Sequence, residues 1–250
     1  MSSRSARVIF AFLSSTVLLL VLVMLRKAFP ADEGIGRLIT LLGGNIPAGI
    51  IQGITYFIAF FAFAELIHIE RAIQQELDAF DLDLLPVQEQ LILTPVDVNE
   101  IKLQAIAKEK KRKYLITDLI KKACTKYRAS HSTSEALEIV SSQSKLNIAK
   151  SEAEQSLVRY SAWAIPSVGF IGTVIGIAQS LSYADEATNP EGIKLMTYSL
   201  NIAFDTTLIS LLLSVILMLY YHIVQEKQEK LHIGIEEYVI ENLINRIYNK

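Results

Sequence analysis

Two apolar stretches in the C-terminal half of the chain carry polar side chains that a plain lipid anchor does not need. Residues 161–183 hold Gly169, Gly172, Thr173 and Gly176, and residues 196–224 hold Asn201, Asp205, Thr206, Thr207, Ser210 and Ser214. In hydrocarbon such groups are costly, and they mark either a pathway or a tight helix–helix contact. At helical spacing Pro166, Gly169, Thr173, Gly176 and Ser180 share one face, and Ala203, Thr207, Ser210 and Ser214 share another. Together, these surfaces can line a narrow pore whose hydroxyls both donate and accept. Packing alone also accounts for them. Gly172 and Gly176 form a GxxxG pair that lets helices approach closely, and a threonine hydroxyl can bond the carbonyl four residues back without any pore. The candidate ion-pathway residues are therefore Thr173, Thr207, Asp205 and Ser210, and the candidate packing residues are Pro166, Gly169, Gly172 and Gly176.

Asp205 stands apart. Two residues before Thr207, it points to a different face, with Asn201 one turn earlier. An unpaired carboxylate in a bilayer costs at least about 2.5–3.5 kcal/mol. Asp205 therefore either bonds Asn201 or a neighbouring helix, or relays an ion. His222 reads as an interfacial residue, and the KEKKRK run at 108–113 as a solvated helix face.

The elements that must position these residues follow from the distribution of charge. Of the 250 residues, 51% are hydrophobic and 20% charged, and the mean hydropathy is +0.34. That combination points to separate apolar and polar blocks. A net charge of −2 argues against a basic nucleic-acid binder, and the single cysteine, Cys124, rules out a disulfide framework within the chain. Residues 8–28 and 46–68 read as two further spans, which makes an N-terminal hairpin of residues 1–68 and a pore-forming hairpin of residues 161–224. The second span starts with Asn45 as cap and Pro47 in the first turn.

Between the hairpins, residues 69–160 form a helical polar domain of two long helices. The first starts at Thr94-Pro95-Val96-Asp97 and runs through Leu115 to Ala123; the second starts at Ser132-Thr133-Ser134-Glu135 and runs into the third span. After residue 224, Leu231, Ile235, Val239, Leu243 and Ile247 recur every fourth residue. The tail 225–250 is expected to be an amphipathic helix that multimerises, since one chain offers it no core. With the N-terminus inside, 20 of the 24 Lys and Arg residues fall on the inner side, so both termini are expected to be cytoplasmic. No phosphate-binding loop, HExxH or GxSxG motif occurs, so neither an enzyme nor a metal site is expected.

At 165–177 the sequence IPSVGFIGTVIGI resembles the MotA/TolQ/ExbB proton-channel family, whose pattern there is a proline followed by a Gly-Thr-Val-x-Gly core. At 203–211, AFDTTLISL is similar to the family's second pore stretch, in the right order and loop context. Four spans with the large loop between the second and third resemble the MotA arrangement. The resemblance implies an all-α membrane protein of the bacterial inner membrane. It would form a homopentamer around two copies of a single-span MotB/ExbD/TolR-like partner that carries the proton-accepting Asp. Ion flow, of H⁺ or Na⁺ and with no other cofactor, would turn the pentamer as the stator-like subunit of a motor. Thr173 and Thr207 would then be the pore threonines, and Pro166 the proline that opens the first pore helix. The sequence departs from the pattern at Ser210, where the family has glycine, at Ile216, where proline is frequent, and at Ile202, where some members carry an acid. A non-conducting membrane scaffold of the same fold is the alternative.

Overall fold

The computed structural model describes residues 4–29, 34–46, 48–87, 92–109 and 112–248. Among these the chain is helical almost throughout. It forms α1 (Arg4–Ala28), α2 (Gly34–Leu41), α3 (Ala48–Leu77), α4 (Pro95–Lys108), α5 (Leu115–Ser130), α6 (Thr133–Ser182) and α7 (Pro190–Asn242). The described residues contain no strand, only one parallel bridge between Leu93 and Ile247. Helices α1, α3, α6 and α7 are long and apolar enough to cross a membrane. This is the all-α, four-span architecture expected from the sequence. Pro47, expected in the first turn of the second span, lies outside the described residues, as do Lys110 and Lys111 of the charged run.

The chain divides into two compact units, Met1–Ile67 with Ser156–His222, and His68–Gln155 with Ile223–Lys250. In the first unit, α1, α2, α3 and α7 meet at a cluster of Leu22, Ile39, Tyr56 and Ile209. The Tyr56 hydroxyl donates to the Leu42 carbonyl at 2.8 Å, and the Gln52 amide donates to the Leu41 carbonyl. Side chains of α3 thus satisfy backbone groups left open where α2 ends. Helix α1 is held at its start by Arg7, whose Nε and Nη2 donate to the two oxygens of buried Glu65 at 2.9 and 3.1 Å. Its other side is bare and apolar, with Phe10, Phe12 and Met24 at least 60% exposed, as a lipid-facing surface requires.

The second unit starts its helices where the sequence places caps. The Thr94 hydroxyl accepts from the Asp97 N–H, and the Asp97 carboxylate accepts from the Thr94 N–H at 2.7 Å, with Pro95 in the first turn. Ser132 accepts the Glu135 N–H at 3.3 Å, and α6 then runs unbroken from Thr133 to Ser182. Here the structure corrects the sequence reading twice. The single helix expected from Thr94 to Ala123 is two helices, α4 and α5, which pack against each other. Helix α4 ends at Lys108, where the basic run begins, and α5 starts only after it. Tyr114 is extended, and its N–H is taken by the Thr117 hydroxyl at 3.3 Å, so a new helix starts there. Folding α5 back on α4 buries Val98, Ile101 and Ala105 together with Ile116, Leu119 and Ile120, which a continuous helix would leave open.

The second correction concerns the tail. Its apolar stripe is not free for other chains: Leu231, Ile235, Val239, Leu243 and Ile247 are all at most 7% exposed within one chain. Tyr238 packs edge-on to Phe80, its hydroxyl takes the Leu85 N–H at 3.2 Å, and Arg246 donates to the Pro86 carbonyl at 2.8 Å. The turn after α3 thus supplies the core that local periodicity cannot reveal. In the same unit Cys124 is fully buried, and burial pushes its thiol up to about 12, so it has little thiolate at neutral pH. Because the tail is part of this core, Leu243→Ala should destabilise the chain by about 2–5 kcal/mol. The measurement is thermal unfolding in detergent. A loss of oligomer mass with no change in midpoint would instead return the stripe to an intermolecular role.

Candidate functional site

The two small-residue faces of the C-terminal hairpin meet each other within one chain. Four side-chain hydroxyls of α6 and α7 donate across the contact to main-chain carbonyls of the opposite helix. Ser214 donates to Ala162 at 3.2 Å, Thr207 to Gly169 at 3.0 Å, Thr173 to Ala203 at 3.1 Å and Ser180 to Met196 at 3.1 Å. The positions advance along α6 by seven, four and seven residues and retreat along α7 by the same steps. That is the spacing of a single straight seam between antiparallel helices.

Glycine makes the seam possible. A Cβ on Gly169 would stand 2.7 Å from Ser210 Cβ, one on Gly172 2.8 Å from Thr206 Cβ, and one on Gly176 2.7 Å from Ala203 Cβ. Real side chains do not come so close, so the backbones are near enough for short hydroxyls to reach opposite carbonyls. Gly172 also faces Ile51, at 3.2 Å from its virtual Cβ, so α3 joins the contact there. Pro166 adds a specific opening. Having no N–H, it leaves the Ala162 carbonyl without its helical donor, and that carbonyl is the one Ser214 caps.

Thr173 and Thr207 sit at the centre of the seam with their hydroxyl oxygens in contact, and each is only half-buried. Together with the buried Gly169 and Ala203 carbonyls behind them they form a group of four oxygens, of which the two hydroxyls are half-exposed. Each hydroxyl keeps lone pairs free and can rotate its proton. Such a group can pass a proton or replace part of the hydration shell of a small cation. Ser210 lies deeper. Fully buried against Gly169, its hydroxyl donates to the Thr207 carbonyl at 2.9 Å, so in the chain by itself it packs the seam and does not reach the open edge. Thr206 likewise turns its hydroxyl back to Ile202 and Ala203.

Asp205 is brought not to the threonines but to α2. Arg37 Nη1 and Nη2 donate to its two oxygens at 2.6 and 2.7 Å, and Asp205 is 4% exposed. The bond to Asn201 left open by the sequence is not formed. Arg37 is the residue that sequence reasoning missed. The signal was present: an acid inside a span needs a cation, and Arg37 is one of few basic residues in the connection between the first two spans. Among the described residues Asp205 and Glu65 are the buried carboxylates, and each is held by an arginine from outside the C-terminal hairpin.

The model of the MotA/TolQ/ExbB proton channel family matches residues 108–237, just over half of the chain. The chain belongs to the MotA/TolQ/ExbB proton channel family. The match takes in α5, α6 and most of α7, and with them the whole hydroxyl seam, Thr173, Thr207 and Asp205. Helices α1 to α3 and Arg37 lie outside it. With four candidate spans, this member of the MotA/TolQ/ExbB family is a multi-pass membrane protein. No curated protein and no solved structure matches the chain with significance.

The paired geometry of Arg37 and Asp205 sets an expected outcome. Asp205→Asn and Arg37→Gln should each lower stability by about 1.5–3 kcal/mol, the range for hydrogen bonds to charged groups. The double replacement should cost clearly less than the two single losses together, because both remove one shared interaction. Thermal unfolding of the four proteins in detergent reads this coupling, and strictly additive losses would show that the two residues act independently.

Proposed function

We propose that the chain is the ion-conducting, stator-like subunit of a membrane motor, coupling a proton or sodium gradient to movement of a partner protein. On this reading it works as a non-enzymatic homopentamer around two copies of a single-span MotB/ExbD/TolR-like protein. It resides in the bacterial inner membrane with both termini cytoplasmic and needs no cofactor beyond the transported ion. The observation that carries the proposal is the half-buried hydroxyl pair of Thr173 and Thr207 on the open edge of the seam, within the stretch that matches a proton-channel family. The strong bias of Lys and Arg supports the orientation. Asp205, held by Arg37, then acts by fixing α7 against α2, and ion transfer falls to the threonines and to the partner's own carboxyl group.

A second reading, a non-conducting scaffold, is favoured by one observation: all four seam hydroxyls are already bonded to carbonyls, as packing alone would have them. Thr207→Val separates the two. Valine keeps the shape and removes the hydroxyl. In the assembled complex with its single-span partner, ion flux into vesicles should fall by at least about tenfold, equal to roughly 1.4 kcal/mol of barrier from one lost charge-assisted contact. Wild-type flux in an assembled Val variant would remove Thr207 from the pathway, and absence of flux in the wild-type complex would favour the scaffold.

A further inference from the structure

The end of the first unit where α1 finishes and α7 begins contains a cavity of about 510 Å³ that neither the seam nor the ion pair accounts for. Arg26, Arg37 and Lys194 line it, opposed by one carboxylate, Asp205. Asp205 has both oxygens engaged by Arg37, so among the described residues of this wall the charges of Arg26 and Lys194 are left over. Arg26 donates through Nη1 to the Phe29 carbonyl at 2.8 Å, while its Nε is buried and has no hydrogen-bond partner. Lys194, on the first turns of α7, has no acidic partner among the described residues. Asn45, Asn201 and Tyr198 add neutral polar groups to the same wall.

A buried guanidinium N–H without an acceptor is costly, and an acceptor arriving from outside would remove that cost. Two cations without an acidic partner among the described residues, beside neutral polar groups, disfavour a cation as that guest. They match a phosphate, whose charged oxygens take N–H groups from arginine in a fork and from lysine as a point charge. The first turn of α7 adds the positive end of a long helix. The surroundings indicate how the phosphate is carried. Arg26 closes the apolar run of α1, Ile193 in the cavity wall is an exposed apolar side chain, and so are Leu25 and Leu195, the sequence neighbours of Arg26 and Lys194. A charged group at the end of a span with bare apolar side chains next to it is placed as a lipid headgroup is placed relative to its chains.

We infer that the cavity between the end of α1 and the start of α7 binds a phosphate group, in first place that of an anionic lipid. The inference does not depend on ion conduction, because none of these residues belongs to the threonine pair. It predicts that the full chain, purified in detergent and stripped of lipid, takes up phosphatidylglycerol in preference to phosphatidylcholine, whose choline cation the site repels. Native mass spectrometry counts the retained lipid.

With Arg26→Gln and Lys194→Gln combined, affinity for phosphatidylglycerol should fall by about twenty-five-fold, at roughly a fivefold contribution from each basic group. Inorganic phosphate added at rising concentration identifies the source. Displacement of the lipid would show that the phosphate alone is recognised; retention of the lipid, together with its loss in the double variant, would show that the acyl chains contribute. Should the double variant fail to fold, Lys194→Gln alone, on an exposed side chain, should still weaken binding by about fivefold. Wild-type retention of phosphatidylglycerol in a folded variant, or equal uptake of the two lipids, would overturn the inference.

Discussion

The membrane unit depends on how closely α6 and α7 approach. In a bilayer apolar side chains gain little by leaving lipid for one another, so helices associate through packing and hydrogen bonds. Gly169, Gly172 and Gly176 remove the side chains that would hold the backbones apart, and four hydroxyls then span the gap to carbonyls. Each such bond contributes on the order of 0.6 kcal/mol. The seam therefore owes its strength to repetition in a constant register. Pro166 and Ser214 show how finely the two helices are matched: one helix gives up a hydrogen bond, and the other restores it. The functional consequence is positional. With the seam closed, the threonine pair is held at its edge by main-chain contacts on both sides, while Ser210 and Thr206 are used up in packing.

The N-terminal part is held by charge, both within itself and to this arrangement. Glu65 on α3 is buried against Arg7 on α1, and Asp205 on α7 against Arg37 on α2. A single buried acid would be expensive in either place, and removing one partner of such a pair costs far more than the pair contributes relative to apolar replacements. These contacts specify which helices lie together more than they add stability. The Arg37–Asp205 pair joins a residue inside the family match to one outside it. It therefore ties the hairpin inside the family match to a helix outside it.

Much of this was legible in the sequence, and the parts that were not share a cause. The four spans, the Thr94 and Ser132 caps and the two small-residue faces are local patterns, written within a few turns of chain. The contact of those faces with each other, the Arg37 partner of Asp205 and the burial of Leu231 to Ile247 are long-range. Arg37 and Asp205 are 168 residues apart, and nothing in the periodicity of either segment names the other. The break before Leu115 was missed for a different reason. Apolar spacing on both sides of the basic run fits one helix as well as two, and only the gain from folding α5 onto α4 decides between them.

The central claim is that Thr173 and Thr207 stand at a water-accessible edge of the seam while Ser210 is sealed within it. Cysteine accessibility in the assembled complex tests it most directly, since Cys124 is buried with its thiol pushed up to about 12 and gives a silent background. Thr207→Cys should react with a charged, water-borne methanethiosulfonate reagent and lose ion flux on modification, and Ser210→Cys should remain unmodified. An unreactive Thr207→Cys, or a Ser210→Cys that reacts as fast, would contradict the account.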